Sequence, residues 1–351
     1  MITNRILFNE IANNWLQQAT IGTCYKHSKS LEYCINRINR FIGLYEISSI
    51  KPPLIDDMIC SLAICNPSTH KPTSKKTLAQ TANVAYNIFE YAIDRELLAI
   101  NPARNAKKKI PKNAPKKIVK AISMEQYDLV LATKNKMQTG ALIMLFAGLR
   151  KGELIALNWD DIHIEDKYKR KGISITKSCQ QIDTNNYMIT PATKNKKTRF
   201  VPLPNIMVDY LKKEKLKAKS YLVCPTIKGK LQTLSTWKKY WSSYQNDLNY
   251  NAYCEKYKEL HHTSNVPSKF TSKGIPQVIE KFTAHQLRHM YCTLLFLSGI
   301  DVLTASKLMG HSSVQITLDI YTHLEEQYRH IDVEKLDKFL KYDIDKIKYD
   351  I

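Results

Sequence analysis

The chain has 351 residues, more than one ordinary core accommodates, because domains usually run ~100–200 residues; two domains are expected. Its 53 Lys and Arg against 32 Asp and Glu leave a formal charge of +21, so a polyanion is the natural partner: nucleic acid first, an anionic membrane surface second. Apolar runs such as 141–147 fall well short of the ~20 residues that cross a bilayer. The N-terminus reaches Glu10 before an apolar segment could form, so no secretory signal is read and a cytoplasmic location is expected.

Residues 6–100 read as helical. Phe8, Ile11, Ala12, Trp15 and Leu16 recur at intervals of three and four. Leu31, Cys34, Ile35, Ile38 and Phe41 do the same in a second helix, with Ser28 or Ser30 as its expected N-cap. Pro52-Pro53 interrupts the chain before a third helix near 54–64. A fourth, from about Lys75 to Leu98, carries Leu78, Ala82, Ala85, Ile88, Phe89 and Ala92 as one stripe, and the four make a small all-helical bundle, residues 1–103.

Residues 104–120 differ in composition. Arg104, Lys107, Lys108, Lys109, Lys112, Lys116, Lys117 and Lys120 follow one another with Pro111 and Pro115 and no acidic residue between them. This reads as an inter-domain linker. Like-charge blocks are often solvated tails, but between two domains of a basic protein, Lys107, Lys108, Lys109, Lys112, Lys116 and Lys117 suit a phosphate backbone. A second domain, residues 121–330, opens at Ser123, whose hydroxyl and Gln126 fit a capping box. After Asp160-Asp161 the period changes. Ile173 and Ile175, then Tyr187 and Ile189, then Phe200, Val201 and Leu203 suggest about three short antiparallel strands. Helices return after Asn205, interrupted by the tyrosine-rich stretch 241–273, which periodicity leaves unassigned. The fold class expected is mainly α with a small antiparallel β-sheet (α+β).

The eight cysteines contain no CxxC pair, the pattern of reduced thiols. Cys254 with His261 and His262 lacks a fourth ligand at finger-like spacing, so no metal site is read.

Four segments carry possible chemistry: Gly148-Leu149-Arg150-Lys151-Gly152-Glu153-Leu154; Thr193-Lys194 through Arg199 to Leu203; His285-Gln286-Leu287-Arg288-His289; and Met309-Gly310-His311 through Thr317 to Ile320-Tyr321-Thr322-His323-Leu324. Taken singly each is weak. A tyrosine among helical apolar residues usually packs in a core, Arg150 beside Glu153 makes an i,i+3 ion pair, and His311 after a glycine satisfies a helix end. In order, however, the segments resemble the signatures of the tyrosine recombinases, the family of phage integrases and chromosome-dimer resolvases. The resemblance is strong over 121–330 and weaker over the N-terminal bundle, which is similar to that family's core-site-binding domain.

The resemblance implies a two-domain enzyme on duplex DNA that needs neither metal nor ATP. Tyr321 would be the nucleophile, forming a 3′-phosphotyrosine. Arg150 and Arg288 would hold the phosphate, since planar guanidinium groups bind two oxygens at once. His285, three residues before Arg288 and on the same helix face, would take the tyrosine proton. Lys194, five residues before Arg199, would protonate the departing 5′ oxygen; Lys196 and Lys197 share its turn. His311 would hydrogen-bond a phosphate oxygen, Glu153 would buttress Arg150, and His289 would pack behind the site. Met290 and Met309 depart from the commoner threonine and leucine. The arm-binding domain of many phage integrases is not read ahead of the bundle: either the enzyme lacks it or the chain is a fragment of a longer protein. Four protomers are expected on DNA, with a C-terminal amphipathic helix at 331–351 (Leu336, Phe339, Leu340, Ile344) docking on its own domain or a neighbour, and an accessory DNA-bending or directionality protein is a further partner. Integration and excision of a mobile element is the function expected by analogy with the Ile320–Leu324 ending. A resolvase or invertase on chromosomal or plasmid sites, or a non-catalytic DNA-binding regulator, would share much of the pattern.

Overall fold

The computed structural model describes residues 5–116, 120–164, 170–184, 186–191, 198–263, 265–270, 274–322 and 324. Lys117, Lys194, Lys196, Lys197, His323 and the expected helix at 331–351 lie outside the described residues. The chain divides into two compact units, one of residues 1–118 with 181–186 and one of 119–180 with 187–351.

In the first unit α1 (Phe8–Ala19), α2 (Tyr25–Ile42), α3 (Pro52–Ile64) and α4 (Lys75–Ile93) enclose one core. The apolar stripes converge there: Phe8, Ile35, Ile38, Ile55, Ile59, Leu78 and Phe89 are buried, and the Phe8 and Phe89 rings lie 5.3 Å apart. Two boundaries differ from the sequence reading. Helix α2 begins after Cys24, which makes no side-chain cap bond. Ser28 sits inside the first turn, where its hydroxyl lies 3.0 Å from Thr23 Oγ1, so it does not serve as the N-cap. Helix α4 stops at Ile93 because Glu96 adopts a left-handed φ of 61° and turns the chain.

The basic stretch read as a linker is in large part packed on this bundle. Ala106 and Ala114 are buried in its core, Ile110 packs against it, Lys109 pairs with Asp56 at 2.8 Å, and Lys107 donates to Asn83 at 2.8 Å. The lysines dominate the composition, but the small alanines spaced among them decide the packing.

In the second unit α5 (Met124–Ala132) starts at the expected capping box, with Ser123 Oγ accepting from the Gln126 amide and Gln126 Oε1 from the Ser123 amide. Then follow α6 (Gln138–Ala147), α7 (Lys151–Ile155), β1 (Ile162–His163), β2 (Gly172–Ile175), β3 (Lys177–Gln181), β4 (Tyr187–Pro191), β5 (Arg199–Pro202) and α8 (Asn205–Lys217). The strands form two small sheets where one was expected: an antiparallel β1-β2-β5 and a separate β3-β4 pair. Ile173 faces Ile162 on one side and Val201 on the other, and all three are buried, so one face of β2 enters the core while Ile175 aligns with Arg199.

The stretch 241–273 resolves largely into α9 (Leu234–His261), which buries Trp237, Tyr240, Tyr244, Leu248 and Ala252 at helical spacing. Its inward face also carries two amides. Gln245 Oε1 accepts from the Phe282 amide, and Asn249 accepts from Val278 and donates to Pro276. These bonds anchor the segment that leads into α10 (Ala284–Leu297), which packs on α6 and on α11 (Val302–Met309). Residues 314–322 are again helical. No helix among the described residues is long and apolar enough to cross a membrane.

Candidate active site

Two helix ends build the site. Helix α6 ends at Gly148, whose φ of +60° belongs to the left-handed region; a Cβ there would lie 2.3 Å from Tyr291 Cδ1, so both conformation and space require glycine. Helix α11 ends likewise at Gly310, φ +63°. The last carbonyls of a helix have no intrahelical partner and carry the negative end of its dipole. Here they receive arginines. Arg288 on α10, 1% exposed, donates through Nη1 to the Gly148 carbonyl and through Nη2 to the Met309 carbonyl. Arg150, which precedes α7, donates through Nη2 to the Gly310 carbonyl.

Behind them Glu153, 2% exposed, takes Arg150 Nη1 at 2.8 Å and a two-pronged contact from Arg199, Nη1 to Oε1 at 3.0 Å and Nη2 to Oε2 at 2.7 Å. Burial alone would raise its pKa; the bonds and charges of Arg199 and Arg150 outweigh that and hold it at about 2. Arg199 Nε also donates to the Leu308 carbonyl. Along the sequence Arg199 serves only as a spacing mark for Lys194. Its role was hidden because the carboxylate it grips lies on α7, 46 positions away.

Three histidines complete the cluster. His285 and His289 stand one turn apart on α10 with ring centroids at 4.8 Å. Burial, then the charges of Arg288 and Arg150, lower the His285 pKa. Burial, His285 and Arg288 bring His289 down to about 4. His311 falls to about 3 through burial and through Arg288, Arg150, His289 and Arg199. All three disfavour a proton first because burial strips the imidazolium of water, and second because positive charge lies close by. His311 Nδ1 is 2.7 Å from Thr317 Oγ1.

Arg150, His285, Arg288 and His311 therefore converge. Tyr321 is placed differently: it is 5% exposed, its hydroxyl donates to the Ile300 carbonyl at 3.1 Å, and its ring meets Phe296 edge-on at 5.1 Å. Burial first, then Cys292, Asp301 and Tyr291, raise its pKa. Among the described residues, no group of three or more His, Cys, Asp or Glu side chains is arranged to hold a metal. Two guanidinium groups beside neutral histidines have the donor chemistry that an anion with two free oxygens, such as a phosphodiester, would need.

The sequence pattern of the phage integrase family matches residues 110–328. A XerC-like tyrosine recombinase of Caldanaerobacter subterraneus subsp. tengcongensis is 31% identical over 288 residues, 75% of this chain and 66% of that protein. The ICEBs1 integrase of Bacillus subtilis is 28% identical over 280 residues, 76% of this chain and 67% of that protein. The chain thus matches about two thirds of the length of each. Among solved structures, the Tn1549 transposon integrase in complex with a circular intermediate DNA superposes with a TM-score of 0.69 at 16% identity, covering 94% of this chain and 99% of that one; this likeness concerns the fold.

Proposed function

The chain belongs to the phage integrase family of tyrosine recombinases, and on that premise we propose that it is a site-specific DNA recombinase serving the integration and excision of a mobile element. The observation that carries this reading is the buried Arg288, tied to the Gly148 and Met309 carbonyls and surrounded by Arg150, His285 and His311.

Tyr321 Oη attacks the scissile phosphorus. The P–O bond to the 5′ oxygen breaks, a phosphotyrosine on the 3′ side forms, and attack by a 5′ hydroxyl of the exchanged strand reverses the step. Bond energy is retained, so no nucleotide is consumed. His285, neutral at physiological pH, accepts the phenol proton; Lys194 returns one to the departing oxygen; Arg150 and Arg288 hold the non-bridging oxygens. For this the Tyr321 hydroxyl has to exchange the Ile300 carbonyl for the phosphate. Joining two duplexes cuts four strands, and one tyrosine per protomer sets the assembly at four. Lys107, Lys108, Lys109, Lys112, Lys116 and Lys117 contact the backbone, and an accessory DNA-bending or directionality protein is a further partner. The protein acts on DNA in the bacterial cytoplasm.

A XerC-like relative at 31% identity favours a second reading, resolution at chromosomal or plasmid sites. The experiment is a nicked suicide substrate carrying the end of the host element, incubated with the protein and with Tyr321→Phe. A covalent 3′ adduct lost in the variant supports the recombinase. An adduct surviving Tyr321→Phe would displace the nucleophile, and efficient cutting of a chromosomal dimer site instead of the element end would favour the second reading.

A further inference from the structure

Helical residues 314–322 present an inverted pattern: Ile316 and Leu318 are 43% and 42% exposed, while Thr317 between them is fully buried at 0%. A helical threonine commonly returns its hydroxyl to a carbonyl one turn back, as Thr81 does to Thr77 at 2.9 Å and Thr293 to His289 at 3.3 Å. Thr317 does not. Among the described residues its side chain has one hydrogen-bond partner, Nδ1 of His311 at 2.7 Å.

We propose that Thr317 is a positioning residue that fixes the tautomer of His311, so that Nε2–H is the donor presented to a non-bridging phosphate oxygen; this rests on the recombinase reading above. Two proton arrangements fit the contact. If Nδ1–H donated to Oγ1, the hydroxyl proton of Thr317 would be left in a dry interior with no acceptor, an arrangement buried polar groups avoid. If Oγ1–H donates to Nδ1, both groups are satisfied. The imidazole is neutral at physiological pH, since burial and the neighbouring arginines hold its pKa at about 3, so it carries a single N–H. With Nδ1 accepting, that hydrogen resides on Nε2, which has no hydrogen-bond partner among the described residues. The opposite tautomer would turn a lone pair toward an anionic oxygen and repel it.

The test combines single-turnover cleavage of the nicked substrate with 15N spectra of the histidine-labelled full chain, the His311 signal being identified by its loss in His311→Ala. The wild-type ring is expected to be protonated at Nε2. Thr317→Val should slow cleavage by about 10- to 100-fold, by analogy with removing the partner that orients a metal-bound histidine, with DNA binding unchanged. Thr317→Ser should restore most of the rate, and Thr317→Val in a His311→Ala background should cost nothing further. An Nδ1-protonated ring in the wild type, or the same loss from Thr317→Val with and without His311, would overturn the assignment. If Thr317→Val does not fold, the spectra of the wild type and Thr317→Ser still decide it. Absence of a Tyr321-dependent adduct in the wild type would overturn the recombinase reading and, with it, phosphate as the acceptor; an Nδ1-protonated ring with the adduct intact would overturn the role of Thr317 alone.

Discussion

A guanidinium at 1% exposure has lost most of its hydration, and at Arg288 the Gly148 and Met309 carbonyls replace part of it. A lysine carries its charge on one nitrogen and cannot reproduce that fork. Arg288→Lys is therefore expected to lower cleavage by ~10²–10³-fold, the usual cost of one preorganised donor, read as covalent-complex formation at matched DNA occupancy; an unchanged rate would remove Arg288 from the transition state. Glu153 makes a stability prediction. Its folded pKa of about 2 lies below the ordinary 4.5, so its contribution is complete above about 4.5 and is lost as pH falls toward about 2. Glu153→Gln leaves Arg199 and Arg150 without their carboxylate and should cost ~3–5 kcal/mol at neutral pH, with the gap to wild type narrowing in acid urea titrations. The histidines act in the same direction. At His289 and His311 the folded pKa values of about 4 and about 3 lie below the ordinary 6.5. The unfolded chain binds more protons in between, and stability falls as pH drops below about 6.5. His289→Asn should flatten the decline of Tm from pH ~6.5 to ~4; an equally steep decline would show that His289 does not contribute.

At the scale of elements, the turn from α6 into α7 sets the position of both arginines. Gly148→Ala meets two obstacles, the left-handed φ and the Tyr291 ring 2.3 Å from the new Cβ. Gly229 provides the control, because its φ is also positive, +72°, but no atom lies within 4 Å of a Cβ built there. Gly229→Ala should cost only the strain, ~1–2 kcal/mol, whereas Gly148→Ala should cost clearly more in urea unfolding and should also reduce cleavage. Equal costs would mean that Tyr291 yields freely. Helix α9 illustrates why one element escaped sequence reading. Its buried face mixes Trp237, Tyr240, Tyr244 and Leu248 with Gln245 and Asn249, so a binary apolar pattern blurs. Those amides are tolerated inside because they bond the backbone of residues 276–282, a partner the helix's own sequence does not contain.

For the whole molecule the charge of +21 predicts steep salt dependence, because each neutralised phosphate releases condensed counterion and contributes ~0.9 to the slope of log K against log salt. Lys107 and Lys109 are already engaged with Asn83 and Asp56, while Lys108, Lys112 and Lys116 are exposed and have no ion pair among the described residues. Lys108→Ala and Lys112→Ala should each lower the slope by about 1, measured by titration over a salt series. Lys109→Ala should change it less, since its ammonium gives up Asp56 to reach DNA. Identical slopes for all three variants would show that the Asp56 pair does not restrain Lys109.

Local chemistry determined much of this protein without reference to the fold: the helical stripes of the first unit, the Ser123 cap, and the order and spacing of Arg150, His285, Arg288, His311 and Tyr321. Periodicity reports that a face is buried and a motif reports that a residue type recurs; both are properties of neighbours along the chain. Only the tertiary structure decided what lies against each face. It drew alanines out of a lysine run into the first core, split the strands between two sheets, set Arg199 on Glu153, turned the Tyr321 hydroxyl to Ile300 and placed Thr317 under His311. Each of these depends on how the chain turns between or beyond its regular segments, and packing of the whole unit, rather than local propensity, selects the partner that satisfies a buried charge or hydroxyl.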